Sequence, residues 1–226
     1  MSRKLSIPSR PKKHYIFEAH CFCEGLQEKK YFEHFAKLIN NCSEYKIKKQ
    51  LKLNPKNCKG GDQCTLLNTA INQDEYNSIV IFDYDNKKDT FEKAIDLANK
   101  HNFKIGYSNI NFDYWLVLHL MKATDIIYGE KTKITDYQDL VRNLYHLPKD
   151  ADIKKEDTIN KILVQIELKH IINAIKNCEL IDNYNKTHAN TKSKTTPNGF
   201  VYYGNPDIQI YKIIKFLLQT ALSLKL

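Results

Sequence analysis

The sequence predicts an α/β fold: a mainly parallel sheet flanked by helices, followed by a helical C-terminal half. Three observations carry this. Over residues 14–120, short β-rich runs alternate with helical patterns, and such alternation builds parallel sheets with helices on both faces. The run "IVIF" (Ile79–Phe82) is apolar without alternation, as expected of a central strand buried on both sides. After Met121 no clear strand signal remains, and helical patterns take over.

In chain order, a first strand is expected from about His14 to Cys23, where apolar and polar residues alternate, ending at Glu24 and Gly25. The next segment, "QEKKYFEHFAKLINN", places Tyr31, Phe32, Phe35, Leu38 and Ile39 at helical spacing. "EYKIKKQLKL" reads as the second strand. "GGDQCTLLNTAINQ" is a Gly-Gly loop, an N-cap candidate in Asp62 and a helical pattern. "NSIVIFDYD" is the third strand, and the helix after it gathers Phe91, Ala94, Ile95 and Ala98 on one face. "FKIGYSN" is the fourth strand, and "FDYWLVLHLM" a short, very apolar helix.

Beyond Met121, "DYQDLVRNLYHL" is a short helix closed by Pro148. "KEDTINKILVQIELKHIINAIKNCEL" is expected as one long helix capped by Asp157 or Thr158. A polar loop follows, and a terminal amphipathic helix has Pro206 near its first turn. The expected organisation is a flexible basic arm over 1–13, an α/β domain over 14–120 and a helical region over 121–226 packed on it.

Composition narrows the function classes. The 226 residues are 42% hydrophobic and 27% charged, enough for a core and unlike a disordered chain. The most apolar stretches are too short or interrupted to span a bilayer. The basic N-terminus is not followed by an apolar segment and cleavage site, so no signal peptide is expected. The six cysteines contain no Cys-x-x-Cys pair; a zinc ribbon is disfavoured, and a reduced cytoplasmic setting is the default. The net charge of +9 points to a polyanionic partner, nucleic acid first. It is concentrated between Lys46 and Lys59, where Lys46, Lys48, Lys49 and Lys52 lie in a run free of acids. That run suits either a phosphate-tracking surface or an edge strand guarded by lysine. Lys192 and Lys194, near His188 in the polar loop, offer a second basic patch.

The chemistry is expected at strand ends. Asp83 and Asp85 follow the buried third strand, two carboxylates that disfavour each other's ionisation. Glu24 ends the first strand, and Ser108 and Asn109 end the fourth. Ligands of parallel sheets bind beyond the carboxyl ends of the strands, so these residues are expected to converge. Asp-x-Asp at such a place supplies hard oxygen ligands for Mg²⁺ or Mn²⁺. Glu28 shares a helix face with Glu24 and is either an accessory carboxylate or a surface ion-pair partner. Lys87 and Lys88 either meet substrate phosphate or offset local charge. Ser108 and Asn109 are candidates to bind phosphate or brace an acid. Trp115 and His119 read as core residues.

The pattern "CFCEG" with a later Asp-x-Asp resembles the Toprim domain, in which the Glu and the two Asp hold divalent metal beside a phosphodiester. More narrowly, "FCEGLQEKKYF" (Phe22–Phe32), "KGGDQCTLL" (Lys59–Leu67), "FDYD", "YSNINFDYWLVLHL" (Tyr107–Leu120) and "GNPDIQIYKIIKFL" are similar to motifs of the RloB-like family. The resemblance implies a metal-dependent nuclease acting in bacterial anti-phage defence, with DNA or RNA (tRNA included) as substrate and an SMC/ABC-like ATPase as partner. It implies metal ligation by Glu24, Asp83 and Asp85, with Asp113 as a further ligand. The sequence departs from the family at Ile110, where the family has Pro, and at Asp113, where it has Glu. At Asp207 and Ile208 it lacks the family's Ser/Thr, and Asp207 is expected as a helix N-cap. A non-catalytic adaptor subunit and a plain nucleic-acid-binding protein are the rival expectations.

Overall fold

The computed structural model describes residues 15–58, 62–73, 75–123, 125, 134–188 and 193–224. The expected basic arm over 1–13, part of the Gly-Gly loop and Lys192 lie outside the described residues. The first half runs β1 (Tyr15–Cys23), α1 (Leu26–Asn40), β2 (Lys49–Asn57), α2 (Gln63–Gln73), β3 (Ser78–Asp83), α3 (Lys88–Lys100), β4 (Lys104–Asn109) and α4 (Phe112–Leu118). The second half adds α5 (Ile134–Leu144), α6 (Glu156–Leu163), α7 (Leu168–Thr187), β5 (Ser193–Thr195), β6 (Val201–Tyr203), β7 (Asp207–Ile208) and α8 (Ile210–Ala221).

Five strands form one sheet in the order β2-β1-β3-β4-β7. The first four are parallel and β7 is antiparallel to β4. The predicted fold class is therefore observed: a mostly parallel sheet flanked by helices, with a mainly helical second half. β3 is buried at every position, which explains its unbroken apolar run.

Each sheet face has its own core. On one face, Cys21, Cys23, Ile79 and Ile81 meet Tyr31, Phe32 and Phe35 of α1, together with α4 and the helices of the second half. On the other, Phe22, Val80, Phe82 and Tyr107 meet Leu66, Leu67 and Ala70 of α2 and Phe91, Ala94 and Ile95 of α3. Gly106 lets α8 approach β4. A Cβ there would stand 2.8 Å from Ile81 Cδ1 and 3.3 Å from the Ile210 Cα. All six cysteines are free thiols, and Cys21 and Cys23 are fully buried. No helix among the described residues is long and apolar enough to cross a membrane.

Three expectations about the second half are corrected. Strands are present after Met121: β5 and β6 form a two-stranded ribbon, and β7 extends the main sheet. They are two or three residues long and exist through pairing, β5 and β6 with each other across a short connection and β7 with the distant β4, not through a run of their own. The long helix is broken between Leu163 and Leu168. There Ile166 turns into the core, and its carbonyl takes a hydrogen bond from the His34 ring at 3.1 Å. Asp207 does not cap the last helix. It lies in β7, where it accepts hydrogen bonds from the Tyr107 hydroxyl and the Tyr203 N–H, and α8 begins after Gln209.

Candidate functional site: an acidic pocket beside two central strands

The connections leaving β1 and β3 diverge. α1 covers one face of the sheet and α3 the other, although β1 and β3 are adjacent. This opens a crevice beyond their carboxyl ends, the place where open parallel sheets bind ligands. Glu24, just after β1, bridges it. Its N–H donates to the Ile81 carbonyl at 3.1 Å, and its Oε2 accepts the Asp83 N–H at 3.0 Å.

The turn after β3 is locked in place. Tyr84 N–H donates to Ser108 O, Asp85 N–H to Ile110 O and Lys87 N–H to Tyr84 O. Asp85 and Asn86 are left-handed, at φ 47° and 58°, a conformation that Asp and Asn tolerate better than most side chains. Asp85 thus suits the turn as well as the pocket. From the other face, Gln63 Nε2 donates to the Asp83 carbonyl at 2.8 Å, and the Thr90 hydroxyl donates to Gln63 Oε1 at 2.8 Å.

A cavity of about 270 Å³ sits here, lined by Glu24, Gly25, Leu26, Gln27, Glu28, Asp83, Asp85 and Lys154. Gly25 lets Glu28 fold back over it: a Cβ would stand 2.5 Å from Glu28 Oε2 and displace that carboxylate. Burial comes first among the forces on these acids. It pushes Glu24 up to about 7, with the Asp83 N–H opposing and Asp85 and Glu28 adding to the push. Burial also raises Asp83 well above the carboxylate range, with Glu28 and Asp85 reinforcing it. Glu28 rises by burial against the pull of Lys154, and Asp85 by burial against Lys87 and Lys154. Lys154 shows the reverse balance. Burial pulls it down, but Asp113, Glu28 and Asp83 outweigh this and hold the ammonium above its ordinary value.

The structure thus brings Glu24, Glu28, Asp83 and Asp85 to one pocket. Asp113 lies behind it, fully buried and joined to Lys154 Nζ at 3.0 Å. Lys87 flanks the mouth, 3.9 Å from Asp85. Lys88 instead faces Glu92 at 3.9 Å. Ser108 is buried in the sheet beside Asp83. Asn109 braces no acid: its Nδ2 donates to the Tyr203 carbonyl at 3.0 Å. Lys194 stands 5.5 Å over the ring of Tyr84, the residue between the two aspartates.

The first lysines of the run lie elsewhere, whereas Lys56 pairs in register with Phe22 near the carboxyl end of β1. β2 is an edge strand, and Lys49 pairs in register with Tyr15, at the start of β1. That is about 25 Å of strand from the pocket. Lys46 and Lys48 precede it, and Lys52 pairs with Glu18 at 2.7 Å. His119 is a core residue, bonded to the Tyr31 hydroxyl and the Trp115 carbonyl. Lys154 belongs to the site without any motif to announce it, while Gln27 and Gln63 lie inside the motifs "FCEGLQEKKYF" and "KGGDQCTLL" without standing out there.

A divalent cation suits this donor set chemically. The donors are hard oxygens, and one of them, Glu28 Oε2, is a buried acceptor with no hydrogen-bond partner. Among the described residues no group of three or more His, Cys, Asp or Glu is gathered closely enough to hold a metal ion. The acids converge on a pocket and not on a point. A larger hollow of about 470 Å³, beside His34, Lys37, Glu44 and Glu167, contains no comparable cluster of acids.

A model of the RloB-like protein family matches residues 20–217 of the chain. No curated protein and no solved structure matches it.

Proposed function

We propose, for a chain that belongs to the RloB-like protein family, that the acidic pocket is the active site of a divalent-cation-dependent nuclease. One observation carries the reading: Glu24 and Asp83, from two adjacent central strands, meet Asp85 and Glu28 in one pocket at the strand ends. The sheet and its acids are then Toprim-like. Glu24, Asp83 and Asp85 would hold Mg²⁺ or Mn²⁺. When bound, the cation orients the phosphate, activates water and stabilises the leaving oxygen.

The chain's own groups supply the rest. Without a cation, burial pushes Glu24 up to about 7; beside a bound cation its carboxylate form would be favoured, which as a base can assist deprotonation of the attacking water. Its Oε2 is fixed by the Asp83 N–H, which holds the carboxylate in one orientation. Lys87, half exposed at the mouth, faces an approaching phosphate. Nucleic acid, DNA or RNA with tRNA included, is the substrate class that suits a net charge of +9. The biological frame is cytoplasmic anti-phage defence with an SMC/ABC-like ATPase as the controlling partner.

The test is cleavage of labelled DNA and RNA pools with Mg²⁺ or Mn²⁺, with the neighbouring ATPase absent and present. Cleavage by the wild type, reduced at least ~10³-fold in Asp83→Asn, is the expected result. No wild-type cleavage under any of these conditions ends the nuclease reading. A second reading, a non-catalytic adaptor, is favoured by one observation. Lys154 already places a cation against Asp113, so part of the acid cluster is neutralised by the protein itself.

A further inference from the structure

We propose that Lys154 is a built-in second cation of the pocket: its ammonium contacts a phosphate oxygen of the substrate, and Asp113 and Gln27 are its positioning residues. This rests on the nuclease reading above and deepens it, because it moves Asp113 from the metal to the lysine.

An ammonium has three N–H donors. Two are committed, to Asp113 Oδ1 at 3.0 Å and Gln27 Oε1 at 2.9 Å. Both acceptors are themselves held. Asp113 is fully buried, and its Oδ2 accepts from Asn111 Nδ2 at 3.1 Å. Gln27 turns its amide nitrogen to the Ile153 carbonyl at 3.3 Å. One glutamine therefore grips the lysine head and the backbone just before it. The segment is pinned on either side, by Ile153 in the core and by the Lys30–Glu156 pair at 2.6 Å. The third donor is left for the cavity lined by Glu24, Glu28, Asp83 and Asp85.

Asp113 does not line that cavity. A carboxylate shut behind an ammonium and bonded to it is a poor donor for a cation in the pocket. A phosphodiester, in turn, is repelled by four carboxylates unless positive charge stands opposite. Lys154 supplies a point charge of the kind that suits phosphate, fixed before the substrate arrives and so costing no reorganisation.

The experiment combines Mn²⁺ titration followed by electron paramagnetic resonance with cleavage kinetics, for wild type, Lys154→Met, Asp113→Asn and the double variant. The double variant leaves no buried carboxylate without its cation and guards against a folding failure in Lys154→Met. Mn²⁺ affinity is expected to stay within about threefold of wild type in the double variant, which removes no ligand and keeps the local net charge. It is expected to rise in Lys154→Met as a repelling charge is lost, and to fall by less than about tenfold in Asp113→Asn, where the Lys154 charge stands unbalanced. kcat is expected to fall ~10²–10³-fold in Lys154→Met and in the double variant. Added ethylammonium is expected to restore part of the rate to Lys154→Ala, whose truncated side chain leaves room for it, and to leave wild type unchanged. Wild-type rates in Lys154→Met and the double variant, beside an active wild type, overturn the proposal and leave the nuclease intact. Loss of Mn²⁺ binding in Asp113→Asn returns Asp113 to the metal and also overturns it. A wild type that neither binds Mn²⁺ nor cleaves removes the nuclease reading, and this proposal falls with it.

Discussion

Asp207 and Asp83 are both buried aspartates at strand ends of one sheet, yet their surroundings differ in kind. Asp207 accepts from the Tyr107 hydroxyl at 2.7 Å, the Tyr203 N–H at 2.9 Å and the Gln209 amide at 2.7 Å. Its acceptors are used, and it ties β4, β6 and the start of α8 together. Asp83 instead faces Glu24, Glu28 and Asp85, which add to the burial that raises it. Its neighbour Glu28 keeps a buried oxygen with no partner. A buried acid serving architecture is surrounded by donors. A cluster of buried acids short of donors costs the fold stability, and its value lies in what it binds.

Three measurements press on this contrast. The largest effect belongs to Asp207→Ala, which leaves a buried hydroxyl and a buried amide unpaired. It should lower stability by about 3 kcal/mol in urea unfolding. A loss below ~1 kcal/mol would mean that its hydrogen bonds do not carry the architecture. Asp83→Asn should act in the opposite direction. With divalent cations chelated, relief of repulsion should raise stability by about 1 kcal/mol, and a loss of similar size would place Asp83 in the same class as Asp207.

The smallest effect is in the pH profile. Glu24 has an ordinary value of 4.5 and is raised to about 7 in the folded chain. Between these values the folded state keeps a proton that the unfolded state has lost. Its contribution is therefore full below 4.5 and is lost as pH climbs through 7. Water reaches this pocket, with the Asp85 side chain 31% exposed, so the contribution should be below about 1 kcal/mol. Melting temperatures of metal-free wild type and Glu24→Gln across pH 5–8 would show it, with the variant giving the flatter profile. Parallel profiles would mean that Glu24 ionises in the folded chain as it does in the unfolded one.

What was legible in the sequence follows the same division. β1, β3 and β4 announce themselves because alternation and unbroken apolar runs are local signals, and Glu24, Asp83 and Asp85 are found as residues that end such runs. β2 is found only in part, starting at Lys49 inside "EYKIKKQLKL" and running on through Pro55 to Asn57. Lys154 is not legible. It lies in "PKDADIKKEDT", where neighbouring lysines look alike, and only the docking of Ile153 and the grip of Gln27 select one of them. β7 is not legible either, since "NPDIQI" carries a proline and an acid that suit a helix start. Its strand character comes from Ser108 and Asn109 across the sheet. The lysines of β2 are conspicuous in the sequence and stand on an edge strand, Lys49 and Lys52 toward its far end and Lys56 in register with Phe22, two residues before Glu24.

The position of β7 also sets an order of events during synthesis. Glu24 and Asp83 are translated early, but the end of the β4 edge, at Ser108 and Asn109, stays open until Asp207 and Ile208 arrive to pair with it. Across that interval a nascent chain carries a row of unpaired peptide groups beside its most apolar strands, a template for pairing with other chains. Premature termination before residue 207 would therefore yield an aggregation-prone polypeptide that has every acid of the pocket and no finished sheet.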